Sequence, residues 1–138
     1  TTFDVTNLED GRRRIASTIV ARRGQPEFRR KLLGLYNSHC AFTNSDIPES
    51  LEAAHIKPYK GDHTDHPSNG LLLRADIHIL FDLSLFAVNS SDMSIIVSKQ
   101  LQDSCYSGLA GTTLNLPDSK LDWPSAAALD WHRKNAEL

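Results

Sequence analysis

Three polar side chains in the middle of the chain lie where regular structure is expected to begin or end. His55 falls within the stretch "LEAAHI", Asn69 lies just before the apolar "LLLR", and His78 follows soon after it. Asp82 lies four positions after His78, so on a helix both side chains would project from one face. An imidazole and a carboxylate at this spacing can bind one divalent cation together.

A histidine beside such a cation would suit the hydrolysis of phosphodiesters. A neutral imidazole can remove a proton from water, and the cation can stabilise charge on the phosphate and on the leaving oxygen. A strand pair packed beside the helix would bring His55 close to the cation. Asn69 has two open roles, because its amide could bond the loop backbone or hold the second ring nitrogen of the histidine.

The surrounding residues predict the elements that would position this group. A first helix is expected from Asn7 or Asp10 to about Arg23, and a second from Pro26 to about Asn37. "CAFT", "LEAAHI" and "LLLR" are predicted as short strands, followed by a helix from Ile77 to about Leu83 with Asp76 as its N-cap. "LFAVN" and "SIIVS" predict a hairpin, and "SAAALDWHRKNAEL" predicts a closing helix. This order of elements is typical of an α+β fold.

Composition limits the class of protein. The 138 residues suit a single domain over positions 1–138, and no apolar run approaches the roughly 18 residues of a membrane helix. Cys40 and Cys105 form no CxxC pair, which disfavours a structural zinc domain and a disulfide framework. The first residue is Thr, which is compatible with a domain excised from a larger multidomain protein.

The net charge of −2 conceals an uneven distribution of basic residues. Residues 1–31 carry eight Lys and Arg against four acidic residues. A basic segment of this kind can follow phosphates, although a solvated helix face is an equally simple explanation. The candidates for contact with a nucleic-acid backbone are Arg22, Arg23, Arg29 and Arg30.

The segments "LEAAHIKPY" and "NGLLLRADIHILFD" together resemble the HNH endonuclease family, whose core is the ββα-metal or His-Me finger. Weaker similarity extends to "RRGQPEFRRKLLGLYNSHCAFT" and to the closing "WHR". The resemblance implies a ββα core at about residues 51–86, flanked by the N-terminal helices, the hairpin and the C-terminal helix. It also implies that His55 is the general base, that Asn69 orders the loop, and that His78 and Asp82 bind the metal. Lys57 joins the arginines as a candidate for DNA contact.

One position departs from the family pattern. Many members have a metal-binding Asp or His just before the base, whereas this chain has Ala54. Mg²⁺ needs few protein ligands because it keeps water molecules and accepts phosphate oxygens, so Mg²⁺ is the expected ion, with Mn²⁺, Ni²⁺ or Zn²⁺ as alternatives. Asp62, His63, Asp65 and His66 offer a second possible metal site, but a polar loop that has no chemical role is the favoured explanation.

Each of the four residues also has a structural explanation when it is considered alone. A single histidine such as His55 is more often hydrogen-bonded within the fold than catalytic, and a His78–Asp82 pair is common on helix surfaces. Asn69-Gly70 is an ordinary turn sequence. Their joint occurrence within the family pattern favours the nuclease interpretation.

The sequence therefore predicts a metal-dependent DNA endonuclease, a restriction or antiphage-defence effector domain in the bacterial cytoplasm. A fused sensor or recognition domain and a homodimer are the expected partners besides DNA, and no membrane is expected. The principal alternative is a non-catalytic nucleic-acid-binding module that retains the metal-finger fold.

Overall fold

The computed structural model describes residues 2–3, 6 and 11–138. Within them the predicted α+β order is confirmed. The helices are α1 (Gly11–Arg22), α2 (Pro26–Leu35), α3 (Ala75–Asp82) and α4 (Ala126–Ala136), and the strands are β1 (Leu51–His55), β2 (Gly70–Arg74), β3 (Phe86–Asn89) and β4 (Ser94–Val97). The predicted helix start at Asn7 or Asp10 lies outside the described residues. Among those residues, no helix combines the length and apolarity needed to cross a lipid bilayer.

Helix α2 packs against His55, the candidate base, through Phe28. It begins at Pro26, a residue suited to the first helical turn, and the Gln25 side chain accepts a hydrogen bond from the Phe28 backbone N–H at 2.7 Å. Phe28 and Leu32 are buried on its inner face. The helix ends at Leu35, two residues before the predicted end, because Asn37 and Ser38 adopt positive φ angles of 50° and 55°.

The β1–β2 hairpin lies between α2 and α3, and most residues on both of its faces are buried. Its antiparallel register pairs His55 with Gly70. Side chains alternate along a strand, so His55 points to the α2 face, while Glu52 and Ala54 point to the α3 face. A Cβ atom at Gly70 would lie 2.7 Å from Phe28 Cζ, so α2 packs directly on the hairpin backbone at this position.

The start of α3 differs from the prediction. Strand β2 runs directly into the helix, and Arg74 occupies the N-cap position in place of Asp76. Asp76 lies in the first turn, where the Arg74 guanidinium donates to both of its oxygens, at 2.6 and 3.0 Å. This hydrogen bonding to Arg74 is the main cause that lowers the pKa of Asp76 to about 2, and the Tyr106 hydroxyl adds a further hydrogen bond. Asp76 therefore holds the β2–α3 junction through side chains and does not cap the helix.

The predicted strand at "CAFT" is wrong. Residues 40–43 form a tight turn, in which the Asn44 N–H donates to the Cys40 carbonyl and Asn44 has a φ of 62°. Ala41 N–H still donates to Leu72 O at 2.7 Å, so the turn lies against β2 without continuing the sheet. Its apolar side chains are buried in the core, which is why the composition resembles a strand.

The predicted β3–β4 hairpin and the closing helix are both present. The hairpin pairs Phe86 with Val97 through Asn89 with Ser94, and α4 packs against β3. His132 of α4 is buried and stacks on Phe81 of α3, with ring centroids 3.8 Å apart. This contact fixes α4 against the helix that carries His78 and Asp82.

Candidate active site

His55, His78 and Asp82 line one open cleft of about 830 Å³. The end of α1, strand β1, helix α3 and helix α4 supply its walls, and Arg22 and Trp131 are among the other lining residues. The fold thus brings the expected base and the two expected metal ligands to a common space. Asn69 is not among the residues that line this cleft, and it lies at the end of the loop between β1 and β2.

The His55 ring is held on two sides. It stacks on Phe28 with ring centroids 4.7 Å apart and an interplanar angle of 17°. Its Nε2 atom lies 2.7 Å from Asp65 Oδ1, and both side chains are largely buried. A carboxylate can only accept a hydrogen bond, so Nε2 carries the proton in this pair. Within the described residues, Nδ1 has no hydrogen-bond partner, and its lone pair is available to a water molecule.

Asn69 bonds the loop backbone. Its Oδ1 accepts from the Lys57 N–H at 2.9 Å, and its Nδ2 donates to the carbonyls of Lys57 at 3.2 Å and Thr64 at 3.0 Å. Of the two roles that the sequence leaves open, the geometry corresponds to the ordering of the loop. The second nitrogen of His55 is held by Asp65.

His78 lies between two carboxylates. Its Nδ1 is 2.6 Å from Glu52 Oε1, and its Nε2 is 3.3 Å from Asp82 Oδ2. Glu52 and His78 are buried, whereas Asp82 is exposed toward solvent. If Nδ1 donates to Glu52, a neutral ring has its lone pair on Nε2, facing an Asp82 oxygen. A cation shared by His78 and Asp82 would stabilise that arrangement.

The Arg22 guanidinium spans the same two carboxylates. Its Nε atom lies 3.4 Å from Glu52 Oε1, and its Nη2 atom lies 3.1 Å from Asp82 Oδ2. Arg22 therefore supplies positive charge where the metal is expected. A residue predicted to contact DNA is here part of the metal side of the cleft.

The donor set fits an ion that needs few protein ligands. No group of three His, Cys, Asp or Glu side chains forms a metal cage anywhere in the described ranges. His78 and Asp82 provide one nitrogen and one carboxylate, which is compatible with Mg²⁺ or Mn²⁺ completed by water and phosphate oxygens. Four-ligand structural zinc does not fit this donor set.

Ala54 contributes no ligand, and its neighbours do not replace it. Its side chain is fully buried on the same face of β1 as Glu52. The nearest carboxylate on that face is Glu52, which lies against Nδ1 of His78, on the side away from Asp82. Glu52 thus contacts the histidine that is predicted to bind metal, while Ala54 supplies no side-chain donor.

The second possible metal site, in the loop, is not formed within the described residues. Asp65 binds His55, His66 Nδ1 lies 2.7 Å from Ser68 Oγ, and Asp62 accepts from the Tyr59 hydroxyl at 3.4 Å. Their polar atoms are engaged by separate partners. Asp65 is therefore bonded to the predicted base, and the loop residues form no group of three metal ligands within the described ranges.

The remaining basic candidates have partners within the protein. Arg23 donates to Glu49 O at 3.3 Å, and Arg29 donates to Leu51 O at 3.2 Å and Pro48 O at 2.7 Å. Burial lowers the pKa of Arg29, which has a role in holding the turn before β1. Arg30 pairs with Glu27, and Lys57 Nζ lies over the Trp131 ring, 5.1 Å from its centroid. Contact of Arg23, Arg29, Arg30 and Lys57 with DNA stays a prediction.

Two residues of the site, Glu52 and Asp65, were not assigned to it from the sequence. The signal for Glu52 was a carboxylate within an otherwise apolar strand, two positions before Ala54 and on the same face. The sequence predicts Asp65 only as a polar loop residue or a possible metal ligand, whereas the structure places its carboxylate on His55. Neither partner could be identified without the positions of α3 and the loop relative to β1.

Strands β1 and β2 and helix α3 form a ββα unit that carries His55, Asn69 and His78 in this order. Residues 40–89 match the family model described as HNH endonuclease, and the predicted resemblance is confirmed over this segment. The matched residues contain β1, β2, α3 and β3.

A solved structure, "Modification dependent TagI restriction endonuclease", has a similar fold, with a TM-score of 0.57 and 16% sequence identity. The similarity covers 80% of this chain and 38% of that one, so the chain spans well under half of its length. Comparison with curated proteins finds no match.

Proposed function

We propose that this domain is a metal-dependent endonuclease that hydrolyses phosphodiester bonds in DNA. The observation that carries the proposal is the convergence of His55, His78 and Asp82 on one cleft within an HNH-type core. A base and a cation held by two nearby ligand residues can act on the two sides of one phosphate when both face a common space.

In the proposed reaction, His55 takes a proton from the attacking water through Nδ1. Phe28 holds the plane of the ring, and Asn69 keeps the following loop in place. His78 and Asp82 would hold the divalent cation, most simply Mg²⁺, which would neutralise negative charge on the phosphate and the leaving oxygen. Glu52 would keep Nε2 of His78 directed at the cation.

The wider role proposed is restriction or antiphage defence. The fold similarity to a structure titled "Modification dependent TagI restriction endonuclease" supports this proposal. A fused recognition domain, a homodimer and a cytoplasmic location stay predictions. Since one such site cuts one strand at a time, double-strand cleavage would require two sites or two successive events.

The test is cleavage of supercoiled plasmid by the purified protein with Mg²⁺ or Mn²⁺. His55→Ala should reduce cleavage by about 10²- to 10⁴-fold, the usual contribution of a general base, and leave the fold and DNA binding unchanged. His63→Ala is a matched control, because His63 is an exposed histidine in the following loop. It should cleave like the parent.

Two results would contradict the proposal. Cleavage by His55→Ala at the parental rate would show that His55 is not the base. A parent protein that retards DNA on a gel but never cleaves it, also in its longest natural form, would favour the non-catalytic binding module.

A further inference from the structure

Asp65 is the only side chain in the described structure that hydrogen-bonds the His55 ring. Its Oδ1 atom lies 2.7 Å from Nε2, and the Asp65 side chain is 14% exposed. The residue follows a short 3₁₀ turn, Asp62–Thr64, and its own N–H donates to Asp62 O at 3.0 Å. The backbone thus directs this carboxylate back toward the end of β1.

Hydrogen bonds made by the side chains of Asn69 and Thr64 fix the position of Asp65. Asn69 Nδ2 donates to the carbonyl of Thr64, the residue just before Asp65, and the Thr64 hydroxyl donates to Gly61 O at 2.6 Å. Asn69 also bonds both backbone groups of Lys57, two residues after His55. One amide therefore sets the distance between the segment that carries the carboxylate and the segment that carries the imidazole.

We propose that Asp65 is a positioning residue that fixes the tautomer of His55. This inference rests on the proposed function of His55 as the base. The carboxylate accepts a hydrogen bond from Nε2–H, so the lone pair of the neutral ring lies on Nδ1, the atom that has no partner among the described residues. Phe28 prevents rotation of the ring plane, and together the two contacts present one defined nitrogen to water.

The chain offers a matched control for this role. Asp62 is a carboxylate three residues earlier in the same loop, but it is exposed, and within the described residues its side chain accepts only a long hydrogen bond from Tyr59. Asp65→Asn preserves the shape of the side chain and replaces one acceptor oxygen by a donor nitrogen. The amide can rotate to meet either tautomer, so the preference for Nε2–H should be lost.

The experiment combines ¹⁵N NMR of the His55 imidazole with single-turnover cleavage. Spectra are recorded without metal at about pH 8.5, where an ordinary imidazole is neutral. The parent and Asp62→Asn should show the Nε2–H form, and Asp65→Asn should show a mixture of tautomers. Cleavage by Asp65→Asn should fall at least ~10-fold, and as much as ~10⁴-fold if the wrong tautomer dominates, with DNA affinity unchanged.

The outcomes separate this inference from the proposed function. If His55→Ala cleaves normally, the proposed function fails. If His55→Ala is inactive but Asp65→Asn matches Asp62→Asn in both rate and tautomer, the role of Asp65 fails. A parent protein with the proton on Nδ1 also overturns it, without any variant.

A purely structural role would give a different result. Asp65→Glu, which keeps the acceptor but lengthens the side chain, should retain the Nε2–H form and recover part of the rate. If Asp65→Asn and Asp65→Glu both lose the folded state in urea unfolding, Asp65 is a structural residue and the proposal is wrong.

Discussion

Replacement of Glu52 by glutamine tests how the metal side of the cleft is built. Glu52 is 5% exposed, and its Oε1 atom accepts from His78 Nδ1 and lies near Arg22 Nε. The substitution keeps the shape of the side chain and removes its charge. The glutamine oxygen can still accept from His78, so the substitution leaves a hydrogen bond that is no longer assisted by charge.

The expected loss of stability follows from that difference. A hydrogen bond to a charged group contributes about 1.5–3 kcal/mol, and a neutral one contributes about 0.5–1.5 kcal/mol. Arg22 is 38% exposed, so its ion pair with Glu52 should contribute only the ~0–1 kcal/mol that is usual for a surface pair. Glu52→Gln should therefore lower the free energy of unfolding by about 1–2 kcal/mol. Glu52→Ala should cost about 3–5 kcal/mol, because it leaves Nδ1 of the buried His78 unpaired.

Metal affinity should fall as well. Loss of a carboxylate that orients a metal-binding histidine commonly weakens binding by about 10- to 100-fold. Mn²⁺ titration by calorimetry measures this effect without DNA or catalysis, and urea unfolding in EDTA measures stability. Glu49→Gln is the control, since Glu49 is an exposed glutamate on the turn just before β1. Glu52→Gln with parental Mn²⁺ affinity and parental stability would refute the role assigned to Glu52.

Two further predictions concern the scaffold. Gly70→Ala should lower the free energy of unfolding in urea by ~1–3 kcal/mol, because the added Cβ meets Phe28 Cζ at 2.7 Å. Gly34→Ala is the control, since Gly34 lies in open space on α2, and this variant should be neutral or stabilising by up to ~1 kcal/mol. Equal stability of the two variants would contradict the close packing of α2 on the hairpin at Gly70. Burial lowers the pKa of His132, so the folded state favours the neutral ring. Its stabilising effect should be complete above about pH 6.5 and be lost as the pH falls through the lower folded-state pKa. In EDTA, His132→Phe should reduce this pH dependence of the unfolding free energy. An unchanged slope of the unfolding free energy against pH would contradict the role given to His132.

The elements that carry the site could be predicted because their signals are local. Apolar runs bounded by turn residues indicated β1 and β2, and the spacing of His78 and Asp82 indicated one helical face. The strand predicted at "CAFT" failed because a buried turn and a buried strand have the same composition. Asp76 was predicted at the N-cap because Asp favours that position, but in the structure its carboxylate binds Arg74 instead.

The partners of the site residues could not be predicted, because they depend on long-range packing. Glu52 reaches His78 only when α3 lies on one particular face of β1, and a shift of register by one residue would turn Glu52 away. The same limit applies to the arginines. Their number suggested DNA contacts, but Arg23 and Arg29 hold backbone carbonyls near the start of β1.

We expect the His55–Asp65 side and the His78–Glu52 side of the cleft to differ in their resistance to local unfolding. His78 and Glu52 are buried between β1 and α3, and they can be exposed only when the core opens. The loop that carries Asp65 is held largely by side chain to backbone hydrogen bonds, and Lys57 to Lys60 are exposed. A sub-global opening of this loop would separate Asp65 from His55 while the hairpin and helix stay folded. On heating or in denaturant, the base would therefore lose its alignment before the metal side loses its structure.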